Sequence, residues 1–229
     1  MTAGLKARAE AVFGPVLWDE GFGQTETWPA TGTVCAEGHL HFESSQALVE
    51  VLDPQTDHPV GQGQLGRLVL TALPPYREAQ KIQRYDTGDL VHTLAAPPTC
   101  ALAALPAVSN LLGKRALAVG HPDGSWTTPR QILTAVESVA AVPLPARVGW
   151  TAVPGGVAVE VAVPGATPAV QGEIEAALVG GGVPLRALTL HDTPATLRRP
   201  FPWRGDLRET LFTPLPGVMS TPQWAQQPV

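Results

Sequence analysis

The sequence predicts an α+β protein in which a β-rich unit is followed by a smaller unit of alternating strands and helices. From residue 34 to residue 73 the pattern is that of consecutive strands separated by turns. After Gly113 the period changes, and strand patterns alternate with helical ones. Apolar residues make up 44% of the chain, so the 23 glycines and 24 prolines indicate many turns in a folded protein rather than disorder.

The first predicted unit, residues 1–112, opens with a helix and continues as strands. The residues from Leu5 to Phe13 have a helical pattern, which ends at Gly14-Pro15. A brief buried strand is predicted at 16–18. Longer runs rich in β-branched and aliphatic residues, bounded by turn residues, predict strands at 39–42, 47–52, 67–73 and 89–94.

The second predicted unit, residues 113–194, has a recognisable order of elements. Strands are expected at 116–119, 147–151, 157–163 and 185–190, with helices at 129–139 and 170–179. The resulting order, β-α-β-β-α-β, is that of a ferredoxin-like sandwich. Residues 195–229 are rich in Pro, Arg and Trp, and we expect them to form a tail that wraps the surface.

Composition and charge exclude several classes of partner. The net charge of −5 gives no reason to expect nucleic-acid binding. No apolar run approaches the roughly 18–20 residues of a membrane span, and the first residues lack the pattern of a signal peptide. The chain has only two cysteines, too few for a disulfide framework. We therefore expect a cytoplasmic protein without membrane or nucleic-acid partners.

Two motifs carry a resemblance to a known family. The first is Gly21-Phe22-Gly23-Gln24-Thr25-Glu26, and the second is Arg84-Tyr85-Asp86-Thr87-Gly88-Asp89-Leu90. Together they resemble the adenylate-forming superfamily, in particular the phenylacetate–CoA ligase family, whose members activate a carboxylate with ATP and pass the acyl group to coenzyme A. The resemblance covers most of the chain and corresponds to about the second half of a family enzyme. It implies that the β-rich unit is similar to the C-terminal part of the family's large domain.

The resemblance implies a site for ATP or AMP with Mg²⁺. Its candidate residues are Phe22, Gly23, Thr25, Glu26, Asp89 and Lys114. An aromatic face suits adenine, a glycine allows close approach of the backbone, and a threonine hydroxyl can bond a phosphate oxygen. A glutamate offers the hard oxygen that Mg²⁺ prefers, and Asp89 could accept both ribose hydroxyls. The alternative for the first motif is a polar loop after a strand.

Three features of a family enzyme are missing or altered, and they bear on activity. The 20 residues before Gly21 hold no Ser/Thr/Gly-rich phosphate loop, and the hinge segment Gly113-Lys114-Arg115 lacks the usual acidic pair. No lysine follows Lys114, and residues 197–204 offer only arginines, which are poor replacements for a precisely placed ammonium. We expect a truncated, degenerate homologue that acts as a binding or assembly module. The alternative is one subunit of a split ligase whose phosphate loop and acyl pocket come from another chain.

A candidate metal site also rests on the resemblance. Some family members hold a structural zinc, and Cys35, His41 and Cys100 occupy matching places. The fourth position corresponds to Leu102, but His39 lies two residues from His41 on the same strand face and could substitute for it. The alternative is that both cysteines are small buried hydrophobes and the histidines are solvated or hydrogen-bonded.

The expected truncation predicts association. Apolar residues at 16–28 and in the 67–73 strand would lack their usual cover, and such surface generally marks an interface. We expect a homodimer, or a complex with a partner chain that supplies the missing half, with an interface that includes residues 16–28. The alternative is that residues 195–229 fold back over this surface.

Overall fold

The computed structural model describes residues 1–16, 18, 20–75, 78 and 81–198. The helices in this part of the chain are α1 (Ala3–Phe13), α2 (Pro129–Glu137) and α3 (Pro168–Gly180). The strands are β1 (Gly21–Phe22), β2 (Gly32–Val34), β3 (His39–Phe42), β4 (Ala47–Leu52), β5 (Leu65–Ala72), β6 (Tyr85–His92), β7 (Ala107–Ser109), β8 (Gly113–Lys114), β9 (Val119–Gly120), β10 (Trp126–Thr127), β11 (Val148–Val153), β12 (Gly156–Ala162) and β13 (Leu185–His191). Short 3₁₀ turns lie at Thr25–Thr27, Arg115–Leu117 and Pro194–Thr196.

Two four-stranded antiparallel sheets form the β-rich unit. Their strand orders are β1-β2-β3-β7 and β4-β5-β6-β8. Apolar side chains of both sheets form one core, whose buried members are Phe22, Leu40, Phe42, Leu68, Leu70, Val91 and Val108. Truncating one of these leucines to alanine is expected to cost about 2–5 kcal/mol, because it removes buried surface and leaves a cavity.

The sequence patterns of β4 and β5 explain their close pairing. Leu68, Val69 and Leu70 are all buried, as expected for a strand near the centre of a sheet. Gly66 permits the contact with β4, because a Cβ at this position would lie 2.7 Å from the Leu52 carbonyl oxygen. The strand therefore packs against its neighbour through backbone at one end and through apolar side chains further along.

The smaller unit is a three-stranded sheet covered by two helices. Strands β11 and β12 form an antiparallel hairpin, and β13 pairs in parallel with β12 after the crossover through α3. Helix α2 begins at a capping box in which Thr128 and Gln131 bond each other's backbone amides. Its apolar face packs into a core that includes Ile132, Val136, Val148, Val159, Ile174 and Leu178.

The ferredoxin-like arrangement expected for this unit is not formed by the described residues. The predicted first strand, 116–119, is mostly the 3₁₀ turn Arg115–Leu117, and only Val119 enters a strand. That strand, β9, pairs with β10 in a separate two-stranded sheet, since a turn at His121–Gly124 brings the chain back upon itself. The main sheet is left with three strands in the order β11-β12-β13.

The other predicted elements agree with the structure apart from two regions. The brief strand expected at 16–18 is absent at Val16 and Trp18, while Leu17 lies outside the described residues. Most of the predicted 195–229 tail also lies outside them, beyond Arg198. No helix in the described part of the chain is both long and apolar enough to span a membrane.

Candidate functional site

A bulge in β6 shapes the first candidate site. Arg67 of β5 pairs with Leu90, but Val69 pairs with Asp86, so Leu68 faces the three residues Thr87-Gly88-Asp89. Gly88 has a φ of 72°, a conformation that favours glycine. The Thr87 hydroxyl holds the bulge by donating to the Leu68 carbonyl at 2.8 Å and accepting from the Asp89 amide at 3.1 Å. Bulges of this kind redirect side chains out of the ladder.

Asp89 is the centre of this site. Its side chain is only 6% exposed, and its Oδ2 accepts from Lys114 Nζ at 2.9 Å and from Gln24 Nε2 at 3.1 Å. Burial raises the pKa of Asp89 above its ordinary value, although the Lys114 ammonium opposes that effect. A buried carboxylate with a raised pKa and a charged partner is typical of binding and catalytic sites.

Further contacts join the two sequence motifs. Gln24 Nε2 and Lys114 Nζ both reach the Thr87 carbonyl oxygen, at 3.4 Å and 2.9 Å. Burial raises the pKa of Tyr85, and the charge of the nearby Glu26 carboxylate raises it further. Thr25 and Glu26 are exposed at the start of the first 3₁₀ turn. Of the six predicted residues, the structure thus brings Asp89 and Lys114 into contact, and it holds Gln24, which directly precedes Thr25 and Glu26, against the same carboxylate.

The remaining two predicted residues behave differently. Phe22 is 7% exposed and packs edge-on against Phe42, with ring centroids 5.7 Å apart, so its ring is a core side chain with little surface for stacking. Gly23 is exposed, and a Cβ there would make only an ordinary contact with Thr31, at 3.5 Å. Packing within the chain therefore does not require a glycine at position 23.

An ion-pair network beside the bulge was not anticipated from the sequence. Arg67 donates to Asp86 at 2.8 Å and also contacts the Asp57 carboxylate and the carbonyl oxygens of Asp53 and Thr56. Burial acts to raise the pKa of Asp86, but the Gly88 amide and Arg67 lower it overall. The network holds the turn after β4 against β6. The sequence signal that could have pointed to this network is the Gly66-Arg67 pair at the start of β5.

A second cluster contains three of the four predicted metal ligands, and the fourth lies beside it. The ligand atoms of Cys35, His39 and His41 all lie within 4.8 Å of one another. Cys100 lies next to this group of three, with its Sγ 3.3 Å from His41 Nε2. Cys35 and His39 are brought together by a tight turn, in which the Gly38 amide bonds the Cys35 carbonyl and the Cys35 amide bonds the His39 carbonyl, each at 2.9 Å.

The donor atoms of this cluster suit a metal ion, and the Cys100 thiol would have to lose its proton to bind one. Burial raises the pKa of the Cys100 thiol, and the neighbouring Cys35 thiol raises it further. The hydrogen bond from the Leu102 amide acts in the opposite direction. The Nδ1 atom of His41 is buried without a hydrogen-bond partner. Two thiols and two imidazoles form one of the usual donor sets for structural zinc. Leu102, which the resemblance placed at the fourth position, offers no side-chain ligand.

The loop that carries Cys100 is fastened next to this cluster. Glu37 accepts from the Thr99 hydroxyl at 2.6 Å and from its backbone amide at 3.3 Å. The other neighbour of the Glu37 carboxylate is His39 Nδ1, 3.5 Å away. Carboxylates that both fix a loop and face a histidine commonly orient metal ligands.

Comparison with known proteins gives a consistent result. No family model matches the chain. Phenylacetate-coenzyme A ligase of Thermus thermophilus is 34% identical over 93 residues, which cover 36% of this chain and 20% of that protein.

Solved structures match over a longer stretch. A 2-hydroxyisobutyryl-CoA ligase in complex with R3-HIB-AMP superposes with a TM-score of 0.62 at 20% identity, covering 91% of this chain and 47% of that one. An anthranilate CoA ligase in complex with anthranoyl-AMP gives 0.57 at 16% identity, covering 92% and 42%. This chain therefore spans less than half the length of these relatives. The predicted resemblance is confirmed: over most of its length the chain has the fold of the C-terminal half of adenylate-forming CoA ligases.

Proposed function

We propose that this chain is a ligase-like module that binds an adenine nucleotide, ATP or AMP with Mg²⁺, and that does not adenylate a carboxylate by itself. The general part of this proposal, that the chain is a ligase-like module, rests on the fold that it shares with the CoA ligases. Two of the matched ligases were solved with acyl-AMP ligands, R3-HIB-AMP and anthranoyl-AMP. Their bound ligands are the reason to expect a nucleotide here.

The observation that carries the proposal is the buried Asp89 carboxylate. Burying a carboxylate is unfavourable unless it is paired, and even a paired carboxylate is often less stabilising than an apolar side chain. Its position on a bulge, facing Lys114 and Gln24, is best explained by a ligand that needs the charge. A carboxylate accepts two hydrogen bonds readily and so suits the two hydroxyls of a ribose.

Neighbouring groups suit the phosphate end of such a ligand. The Lys114 side chain is 49% exposed, so its ammonium can approach an anionic oxygen while remaining close to Asp89. The Thr25 hydroxyl can donate to a phosphate oxygen, and Glu26 supplies the hard oxygen that would hold Mg²⁺. Bound Mg²⁺ would neutralise phosphate charge. The residues present therefore fit the nucleotide and its ion, with Phe22 contributing packing rather than a stacking face.

The expected lack of autonomous activity rests on missing positive charge. Residues 115–229 contain no lysine, and the stabilisation of developing phosphoryl charge is usually what lowers the barrier most in such catalysis. Arginine differs from lysine in shape and reach. The alternative is one subunit of a split acid–CoA ligase, with the phosphate loop and acyl pocket on another chain. The convergence of Gln24, Asp89 and Lys114 favours that alternative over a purely structural role.

We also propose that Cys35, His39, His41 and Cys100 hold a structural zinc. Such an ion would tie the loop around Cys100 to β3, which carries both histidines. It would satisfy the two thiols and imidazoles at once, as a closed four-ligand site does.

Exchange of labelled pyrophosphate into ATP, over a panel of aryl and fatty acids, tests the catalytic part of the proposal. We expect no exchange above background for the purified chain. Exchange that requires a second chain from the native source would favour the split enzyme, and robust exchange by this chain alone would contradict the proposal.

A further inference from the structure

Helix α1 contacts the smaller unit through polar groups. Both terminal nitrogens of Arg8 donate to backbone carbonyls, Nη1 to Val142 and Nη2 to Val139, each at 2.5 Å. The Thr2 hydroxyl donates to the carboxylate of Glu137, which is 1% exposed and also accepts from the Ala146 amide at 3.1 Å. These contacts fix the start and the middle of α1 to the end of α2 and to the loop that follows it.

Gly4 makes the contact unusually close. A Cβ built at this position would lie 2.8 Å from the Glu137 carbonyl carbon and closer still to its oxygen. Real Cβ atoms do not approach backbone so closely, so any larger residue at position 4 would push α1 away from α2. This glycine is required by a backbone-to-backbone crossing rather than by its φ angle.

The same helix contacts the β-rich unit on its other side. Lys6 pairs with the Glu20 carboxylate, which also accepts from Asn110 Nδ2 at 3.3 Å. Glu10 accepts from the Trp18 indole at 2.7 Å, in the segment that leads from α1 to β1. Asn110 follows β7 directly and leads into the connector Leu111–Gly113, which joins β7 to β8 within the β-rich unit and accepts hydrogen bonds from Arg130 of α2. Helix α1 therefore links the β-rich unit, through Glu20, to the end of α2 that lies away from this connector.

Polar contacts rather than apolar packing carry this attachment. None of the residues of α1 is buried, and an open pocket of about 280 Å³ lies beside the helix and the connector, lined by residues that include Leu5, Leu111 and Leu133. An interface of this kind is specific, because its donors must meet particular carbonyls, but it is readily released. By contrast, a helix with a buried apolar face would be a permanent part of the core.

We infer that α1 is a releasable strap that fixes the smaller unit against the β-rich unit. Movement of α2 about its Arg130 contact with the connector requires α1 to give up either its Arg8 and Thr2 contacts or its Glu20 contact. The inference rests on these contacts and is independent of nucleotide binding.

Distances between the two units test the strap in the full-length chain. Spin labels would be attached to p-acetylphenylalanine at two exposed positions, Leu48 on β4 and Val179 on α3, leaving both cysteines untouched. The disrupting variants are Gly4→Leu and Arg8→Ala. Their matched controls are Gly172→Leu, a helical glycine with open space around it, and Arg186→Ala, which removes an arginine–carbonyl bond at Gly155.

We expect one narrow distance distribution in the parent chain and in both controls. In Gly4→Leu and Arg8→Ala it should broaden about twofold, and α1 amides should exchange hydrogen about tenfold faster. A broad distribution in the parent chain would overturn the inference. An unchanged distribution in Gly4→Leu despite faster exchange in α1 would also overturn it, and so would α1 amides that stay fully protected in that variant.

Discussion

Gln24 Nε2 donates to Asp89 Oδ2 at 3.1 Å, and this bond joins the turn after β1 to the bulge in β6. The same oxygen accepts from Lys114 Nζ at 2.9 Å. Three segments that are distant in the sequence therefore share one carboxylate oxygen. Because Asp89 is buried, a change at any of the three alters how well its charge is compensated.

Asp89 should lower the stability of the free protein at neutral pH. The pKa of Asp89 is raised in the folded state. As pH rises, Asp89 therefore loses its proton in the unfolded chain first, near the ordinary value of about 3.9, and in the folded chain only at a higher pH. Stability then falls with rising pH until the folded-state pKa is passed. The Asp89→Asn variant should not show this fall in stability with rising pH. It should be at least as stable as the parent at pH 7 and have a similar Tm at pH 3.

Melting temperatures between pH 3 and pH 8 measure this effect. Asp123→Asn is the matched control, because hydrogen bonds from the Ser125 hydroxyl and amide lower the pKa of that exposed carboxyl, so its pH dependence has the opposite sign. A Tm at pH 7 lower by more than about 5 °C in Asp89→Asn would show that the carboxylate is structural.

Arg67 should stabilise the fold in a pH-dependent way. Asp86 has a lowered folded-state pKa, so its contribution is present above about pH 4 and is lost as pH falls through the folded-state value. Arg67→Met should cost about 2 kcal/mol at pH 7. A smaller cost should remain at pH 3, because the bonds to the Asp53 and Thr56 carbonyls do not titrate.

Urea unfolding at the two pH values separates these contributions. The control is Arg84→Met, since Arg84 is 55% exposed and its pair with Glu50 should contribute less than about 1 kcal/mol. Equal costs at pH 7 and pH 3 for Arg67→Met would mean that Asp86 is not the titrating partner.

The metal cluster predicts about one zinc per chain in protein purified without added metal. Cys100→Ser, His41→Asn and His39→Asn should each reduce the zinc content, because each removes one of four ligands. His58→Asn is the control, as His58 is exposed in the turn after β4. Elemental analysis of folded protein gives the answer, and a fully folded, zinc-free parent chain would exclude the site.

Self-association remains a prediction, but the exposed apolar surface available for it is smaller than the sequence indicated. Phe22 and the β5 residues Leu68, Val69 and Leu70 are buried within the chain, whereas Trp28 is 64% exposed. We expect a homodimer whose interface includes Trp28, and Trp28→Arg should shift it toward monomer. Light scattering across a wide concentration range measures this, with Leu48→Arg as an exposed control. A parent chain that stays monomeric throughout would contradict the prediction.

Much of the fold could be predicted because local pattern and tertiary packing agree in most elements. Strands β4 and β5 and helix α2 carry both a clear period and clear end signals. Strand β6 was expected to begin at Asp89 but begins at Tyr85. The polar run before Asp89 has no strand period, since it forms the bulge opposite Leu68.

The failed predictions have a tertiary cause. The run 116–119 has strand propensity, yet β12 pairs directly with β13 and leaves no central place for a further strand. The proximity of His39 and His41 follows from strand alternation. No periodicity could place Cys100 beside them, and it was expected there only through the family resemblance. Arg67 was missed as a partner of Asp86 because their contact depends on the register across the bulge.

The most direct test of nucleotide binding at Asp89 is a calorimetric titration of the purified chain with AMP. We predict saturable binding of one nucleotide per chain, retained in Asp123→Asn. Asp89→Asn should weaken binding at least about tenfold, because a hydrogen bond to a charged group contributes about 1.5–3 kcal/mol. No saturable binding by the folded parent chain, or equal affinity in Asp89→Asn, would contradict the claim that this buried carboxylate serves a nucleotide.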